Sequence, residues 1–239
     1  MTGTPETTVV LLPGLVCDAE VWASQLRALA PAPCVVPDYG LSTSLTAMAQ
    51  QVLDDLPQQR LCVIGHSMGG RVALEMARLA PQRIERLALL DTGATPFPGG
   101  EAGDAEQRGR FDLLALAREQ GMAAMGRRWA RGMVHPARLD TPLFDAIVAM
   151  VARKTPAVFE AQIHALLARP DAQPVLRGLG CPTLLLCGRH DAWSPLAQHA
   201  QMQALVPGSE LVAVEDAGHM TTMEQPAAVN AALRRWLDA

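Results

Sequence analysis

Short apolar runs alternate along the chain with segments in which apolar residues recur every three or four positions. Six runs that are apolar throughout predict strands at residues 8–12, 34–37, 61–64, 87–90, 183–187 and 211–214. The periodic segments predict helices at residues 22–29, 45–56, 70–79, 195–205 and 226–237. Continuous apolar runs are typical of strands covered on both faces, so the alternation predicts an α/β fold with a doubly wound parallel sheet of about six strands.

The alternation stops between residues 96 and 174. This stretch has no strand pattern but four helical ones, at residues 106–120, 122–133, 142–153 and 157–168. It is bounded by the loop-like sequences TPFPGG and RPDAQP. We therefore predict a core formed by residues 1–95 and 175–239 and an inserted helical cap formed by residues 96–174. The alternative is that these helices only cover one face of the core.

The most informative motif is GHSMG, residues 65–69, between the predicted strand 61–64 and the predicted helix 70–79. A serine with a glycine two positions away on each side is typical of a nucleophile elbow at a strand-to-helix turn. The glycines allow the backbone segments to approach closely, and the serine hydroxyl is left exposed. Ser67 is therefore the candidate nucleophile.

A serine hydroxyl needs a general base, and the base needs an acid that orients it. His219 follows the last predicted strand and Asp191 follows the fifth, and ligands of open α/β sheets gather at these carboxyl ends. We predict His219 as the base and Asp191 as the acid. Asp216 and Asp91 are the alternatives for the acid.

The other histidines near these strands fit the role of base less well. His66 adjoins the serine but is expected to point away from the exposed tip of the elbow. His190 and His199 flank or follow the fifth strand and are expected at the surface.

The chain resembles the α/β-hydrolase-fold superfamily, in its small esterase and lactonase-like branch, over nearly its whole length. The resemblance rests on VVLLPGLVCD, GHSMGGRVAL, LLLCGRHDAWSP and EDAGHMTTMEQP and on the chain order serine, acid, histidine. It implies six parallel strands in the order 2-1-3-4-5-6. Only seven residues precede the first strand, so the antiparallel strands that commonly open this fold are expected to be missing.

The same arrangement calls for an oxyanion site made of two backbone N–H groups, here expected from Met68 and Leu15. The loop that contains Leu15 departs from the family pattern, because Pro13-Gly14 stands where the family usually has His-Gly. Proline has no N–H, so the turn is kept while any hydrogen bond of the missing histidine is lost.

The resemblance implies hydrolysis of a small-molecule ester or lactone through an acyl-enzyme on Ser67. Three alternatives remain: a non-hydrolytic lyase or synthase of the menaquinone-pathway type, which the SMGGR stretch ending at Arg71 resembles; a C–C bond hydrolase with the same triad; and a receptor-like ligand-binding protein. Candidate substrate-binding residues are Met125, Arg128, Trp129, Met133 and Met220. The apolar cap side chains either line an acyl pocket or form the cap's own core. Among the cap arginines 127, 128 and 131, one turned inward would bind a substrate carboxylate, and the alternative is a solvated face.

Composition narrows the remaining choices. Twenty basic and 24 acidic residues give a net charge of -4, which argues against nucleic-acid and membrane partners, and no apolar run is long enough to span a bilayer. Five cysteines without paired spacing indicate buried thiols in a reducing cytosol and no metal site. The sequence has neither a GxGxxG motif nor a P-loop, so no cofactor is expected. We expect a cytoplasmic monomer or homodimer.

Overall fold

The computed structural model describes residues 7–56 and 60–238. Its single sheet has six strands in the order β2-β1-β3-β4-β5-β6, and every neighbouring pair in the described chain is parallel. The strands are β1 (Thr8–Leu12), β2 (Cys34–Val35), β3 (Leu61–His66), β4 (Ile84–Leu90), β5 (Thr183–Gly188) and β6 (Glu210–Val214). The predicted fold class and strand order are therefore confirmed.

Helices flank the sheet and fill the long connection between β4 and β5. In chain order they are α1 (Ala23–Leu29), α2 (Leu45–Asp55), α3 (Met68–Leu79), α4 (Gly100–Gln120), α5 (Met122–Ala130), α6 (Pro142–Ala152), α7 (Pro156–Leu167), α8 (Gln173–Arg177), α9 (Leu196–Leu205), α10 (Thr221–Glu224) and α11 (Pro226–Asp238). Three short 3-10 segments, Ala19–Trp22, Pro81–Arg83 and Pro136–Arg138, complete the described elements.

Several boundaries differ from the sequence-based ones for local reasons. The strand expected at 34–37 ends at Val35, since the edge position and Pro37 leave it with little to pair. The helix expected from residue 106 begins at Gly100, within the stretch that was expected to form a loop. The helix expected over 122–133 ends at Ala130, and α8 and α10 were not predicted.

The inner strands β1, β3 and β5 are buried on both faces, as the continuous apolar runs predicted. In β1, Val10 and Leu12 belong to one core cluster, while Val9 and Leu11 belong to the other. Successive strand residues point to opposite faces, so a strand buried on both sides must be apolar at every position. Burying each such side chain contributes roughly 1.5–3 kcal/mol.

The segment between β4 and β5 contains α4 to α8 and no strand in the described chain. Its helices pack on one another, α4 against α5 and α7, and α5 against α6. No helix in the described ranges is both long and apolar enough to cross a membrane. The division into core and cap at residues 95 and 175 stays a prediction.

Gly69 marks the tightest approach of α3 to the sheet. A Cβ at this position would collide with the carbonyl oxygens of Leu12 and Pro13, which are backbone atoms that cannot rotate away. The start of α3 therefore packs directly against the end of β1, and only glycine fits there.

We expect Gly69→Ala to lower the free energy of unfolding by about 3 kcal/mol, because the collision is with backbone. Urea unfolding followed by circular dichroism measures this. Gly109→Ala is the control, since Gly109 lies within α4 and a Cβ there meets nothing within 4 Å. That control is expected to raise stability by about 0.5–1 kcal/mol. Equal stability of Gly69→Ala and the unsubstituted protein would contradict the close packing.

Candidate active site

Ser67 occupies a strained turn between β3 and α3. Its φ of 54° and ψ of -116° lie outside the regions that a serine usually adopts. The turn is held by the Ser67 N–H, which donates to the Leu90 carbonyl at 2.9 Å, and by the Thr92 hydroxyl, which donates to the Ser67 carbonyl at 2.6 Å. Strain of this kind persists only where the surroundings fix it, and it is common at functional sites.

Ser67, His219 and Asp191 form a continuous hydrogen-bonded chain. The Ser67 Oγ lies 2.8 Å from Nε2 of His219, and Nδ1 of His219 lies 2.8 Å from Oδ2 of Asp191. A carboxylate only accepts, so Nδ1 carries the proton and Nε2 is free to accept the serine hydroxyl. The structure thus brings the three predicted residues together from the ends of β3, β5 and β6.

Asp191 is held as a carboxylate by its neighbours. Burial would raise its pKa, but the His219 imidazole lowers it below the ordinary value, and two backbone N–H groups reinforce this effect. Those N–H groups belong to Trp193 and Ser194 and donate to Oδ1 at 2.8 and 2.9 Å. The second carboxylate oxygen thereby stays free for the imidazole.

The two alternative acids do not contact the His219 ring. Asp216 is exposed. Asp91 is fully buried and accepts the Thr221 hydroxyl at 2.5 Å and the Gly188 N–H at 3.1 Å. Burial and the negative charge of Asp191 raise its pKa well above the ordinary value. Asp91 therefore connects the end of β5 to the loop after β6, which carries His219.

The loop of His219 is fastened to the segment that follows α5. The His219 N–H donates to the Met133 carbonyl at 2.5 Å. Oε1 of Glu224 accepts the N–H groups of Gly218 and Met220 at 2.9 and 3.1 Å, and Oε2 accepts the N–H of His135 at 2.7 Å. One buried carboxylate thus joins both backbone segments.

His66 is buried directly below His219. Its Nε2 donates to the His219 carbonyl at 2.8 Å, and its Nδ1 has no partner in the described chain. Burial, followed by the influence of His219, lowers the pKa of His66 to about 4, so the ring is neutral at pH 7. Its ring also meets Trp22 edge-on.

His199 is fully buried, which corrects the expectation that it lies at the surface. Its Nε2 accepts the Thr92 N–H at 3.3 Å, and its Nδ1 donates to the Pro195 carbonyl at 3.3 Å. The helical period of α9 turns this residue inward, behind Thr92. His190 is exposed, as expected, with its ring against His135.

The backbone near Ser67 offers two candidate oxyanion donors. Leu15 and Met68 both line the cavity at Ser67, and the described chain shows no hydrogen-bond acceptor for either amide. Gly14 lets the Leu15 loop come so close that a Cβ there would lie 3.3 Å from Ser67 Cβ. Val16 has a φ of 51°, rare for a β-branched residue, and its N–H donates to Oε1 of Gln162 at 2.7 Å. Gln162 therefore fixes the loop from α7.

A cavity of about 480 Å³ opens at Ser67. Trp129 stacks on Trp193 with ring centres 5.4 Å apart, and the Trp193 ring lies 5.1 Å from that of His219. Trp193 was not among the candidate substrate-binding residues. The only indication in the sequence was its position two residues after Asp191.

Of the five candidate substrate-binding residues, two line the cavity and three do not. Trp129 and Met133 line the cavity. Met125 and Met220 are fully buried in the two core clusters and do not reach its wall, and Arg128 is exposed. The sequence did not identify the charged residues that line the pocket, which are Arg71, Glu106, Arg110 and Arg169. The signals in the sequence were the SMGGR stretch that ends at Arg71 and the four-residue spacing of Glu106 and Arg110.

Cys17 contributes a thiol to the cavity wall. Burial raises its pKa to about 12, and its Sγ lies 3.5 Å from the Leu15 carbonyl. A thiol is reactive only as the thiolate, so Cys17 is inert at neutral pH. No group of three or more His, Cys, Asp or Glu residues in the described ranges could hold a metal ion.

Comparison with known proteins gives consistent matches over nearly the whole chain. The model of the Alpha/beta hydrolase family matches residues 9–232. The chain is 28% identical to a pimeloyl-[acyl-carrier protein] methyl ester esterase of Aromatoleum aromaticum, covering 91% of this chain and 93% of that protein.

Solved structures show the same fold. A thermophilic esterase from Thermogutta terrifontis has a TM-score of 0.87 and 28% identity, covering 97% of this chain and 89% of its own. An enol-lactonase from Burkholderia xenovorans has a TM-score of 0.86 and 22% identity, covering 100% of this chain and 94% of its own.

The buried, neutral His66 predicts a loss of stability in mild acid. Its pKa of about 4 in the folded protein is below the ordinary 6.5, so the unfolded chain takes up the proton first as the pH falls. The stabilising contribution is complete above about pH 6.5 and declines towards pH 4, by up to about 3 kcal/mol.

His66→Gln keeps an N–H directed at the His219 carbonyl but does not titrate. We expect its free energy of unfolding, measured in urea between pH 7 and pH 4, to decline less than that of the unsubstituted protein. His190→Gln, at an exposed position, is expected to retain the full decline. Parallel pH profiles for all three proteins would show that His66 does not titrate in this window.

Proposed function

Because the chain belongs to the Alpha/beta hydrolase family, we propose that it is a serine hydrolase that cleaves carboxylic esters or lactones of small molecules through an acyl-enzyme. One observation carries the proposal: Ser67, His219 and Asp191 are joined by two hydrogen bonds of 2.8 Å at the floor of a cavity. The hydroxyl, the imidazole and the carboxylate stand in the order that activates a serine.

The first half of the reaction forms the acyl-enzyme. Nε2 of His219 accepts the Ser67 proton as Oγ attacks the substrate carbonyl, and Asp191 stabilises the imidazolium that forms. The imidazolium then gives its proton to the departing alkoxide, and the acyl group stays on Oγ. In the second half His219 takes a proton from water, which attacks the acyl carbonyl, and the acid is released as Oγ recovers its proton.

The developing oxyanion needs donors that are in place before the reaction. The amides of Leu15 and Met68 flank Ser67 and have no acceptor in the described chain, so they are the groups we assign to this role. The first N–H groups of a helix are unsatisfied within the helix, which leaves the Met68 N–H free for a ligand. Removing one oxyanion donor from an enzyme typically costs about 100- to 1,000-fold in kcat.

The relatives support acyl substrates. One is a methyl ester esterase and one a thermophilic esterase, each 28% identical to this chain. Both names describe the cleavage of an ester. The same three residues would also serve elimination, C–C bond hydrolysis or binding without turnover. The experiment below separates ester hydrolysis from binding without turnover.

The test is hydrolysis of p-nitrophenyl acetate, butyrate and octanoate by the unsubstituted protein and by Ser67→Ala. We expect kcat/KM to fall by more than about 1,000-fold in Ser67→Ala, which corresponds to about 4 kcal/mol of transition-state stabilisation. Ser42→Ala removes a hydroxyl whose one hydrogen bond in the described chain goes to the Ser44 carbonyl, and it is expected to keep full activity.

A fluorophosphonate, followed by peptide mass analysis, checks the nucleophile separately. Labelling of Ser67 together with turnover supports the proposal. Labelling without turnover of any ester would favour a binding protein, whereas equal rates for the unsubstituted protein and Ser67→Ala would contradict an acyl-enzyme on this residue.

A further inference from the structure

The wall of the cavity opposite the catalytic loops is positively charged. Three guanidinium groups reach it, from Arg71, Arg110 and Arg169, together with one acidic partner, Glu106. They come from α3, from α4 and from the residue two positions beyond the end of α7. The fold therefore assembles this cationic wall from distant segments of the chain.

Two of the arginines share Glu106. Arg169 binds it with both terminal nitrogens at 2.7 and 2.6 Å, and Arg110 binds Oε1 through Nε and Nη2 at 3.0 and 2.8 Å. Burial would raise the pKa of Glu106, but the hydrogen bonds of Arg169 and then Arg110 lower it to about 2. This carboxylate is ionised throughout the neutral range and neutralises one of its two partners.

Arg71 has no acidic partner in the described chain. Its only hydrogen bond there goes from Nη1 to the Thr95 carbonyl at 2.9 Å, although a guanidinium carries five N–H donors. Burial and the positive charge of Arg169 lower its pKa to about 9, which leaves it charged at pH 7. A half-buried cation beside other cations is unfavourable unless an anion joins it.

Asp91 also lines the cavity but forms no salt bridge with any of the three arginines in the described chain. Its carboxyl oxygens are bonded to Thr221 and Gly188 on the side of the catalytic loops. Within the wall, three guanidinium groups therefore face the one carboxylate of Glu106 in the described chain, and two of them bind it.

Arg71 is also placed to act together with the nucleophile. It lies in the first turn of α3, four residues after Ser67, and both residues line the same cavity. Side chains of a helix lean towards its N-terminus, which directs Arg71 back towards the cavity. A small substrate can therefore touch both residues at once.

We propose that the cationic wall binds a carboxylate of the substrate, so that the natural substrate is an acid that also contains an ester or lactone group a few carbons away. A single planar carboxylate matches the single guanidinium that has no acidic partner, because the two groups pair through parallel hydrogen bonds. This inference rests on the proposed function and adds the chemical class of the substrate. The stacked Trp129 and Trp193 then cover the apolar carbons between the two ends.

Half-esters and diesters of the same dicarboxylic acids test the proposal. Monomethyl and dimethyl succinate, glutarate, adipate and pimelate are hydrolysed in a pH-stat, and kcat/KM is measured for each. We expect one chain length to be preferred and its half-ester to exceed its diester by about tenfold or more. Diesters hydrolysed as well as half-esters at every length, in a Ser67-dependent reaction, would overturn the carboxylate site and leave the proposed function standing.

Substitutions then locate the site. Arg71→Gln is expected to lower the half-ester to diester ratio of kcat/KM by about tenfold, mainly through KM, and Arg71→Lys by less because it keeps the charge. Arg118→Gln is the matched control: it lies on α4, is about half exposed and pairs with Glu160 at the surface. Its ratio is expected to stay unchanged, and an equal fall in both arginine variants would overturn the assignment to Arg71.

Binding without turnover separates the two proposals. Calorimetry measures the binding of each half-ester of the series to Ser67→Ala, and of the tightest-binding one to Ser67→Ala combined with Arg71→Lys or Arg71→Gln. Binding weakened most by Arg71→Gln supports the carboxylate site even if no ester is hydrolysed, an outcome that would reject only the proposed function. No measurable binding to Ser67→Ala for any half-ester of the series would overturn the carboxylate site.

Discussion

The close approach of backbone segments around Ser67 is the constraint on which the rest of the site depends. β3 must turn into α3 within one residue, so Ser67 adopts a φ of 54° and the helix begins against the end of β1. A Cβ at Gly65 or Gly69 would collide with backbone atoms, and no rearrangement of side chains relieves such a collision. This close packing places the Ser67 hydroxyl at the carboxyl edge of the sheet, where the loops after β5 and β6 place Asp191 and His219.

The segment between β4 and β5 completes the site as well as covering it. The Met133 carbonyl accepts the His219 N–H, Glu224 ties both backbone segments together, and Gln162 holds the loop of Leu15 through Val16. Two of these contacts are made by buried side chains whose partners would otherwise be unsatisfied, which makes them expensive to break. His219 and one candidate oxyanion donor are therefore positioned by the same segment that forms part of the cavity wall.

The sheet, the elbow and the triplet were predictable because each rests on short-range patterns: apolar runs between Gly, Pro and Asp, a GxSxG turn, and polar residues directly after strands. The cationic wall was not predictable, because it joins Arg71 to Arg169 across 98 positions of the chain. Met125 and Arg128 lie within one helical turn of Trp129, but only Trp129 meets the cavity. A sequence gives the period of a helix, while the packing of α4 to α7 decides which face turns inward. His199 was misplaced for the same reason.

Charge in the site is divided between two sides. Behind the imidazole, two buried carboxyl groups lie close to each other, and their environments separate them: His219 keeps Asp191 ionised, while burial and Asp191 itself raise the pKa of Asp91. Neutral His66 adds no positive charge there. The ionised Asp191 therefore faces His219 and, in the proposed reaction, favours the imidazolium when Ser67 gives up its proton. The arginines stand on the other side of the cavity, where their positive charge attracts an anionic end of a substrate and leaves Asp191 paired with His219.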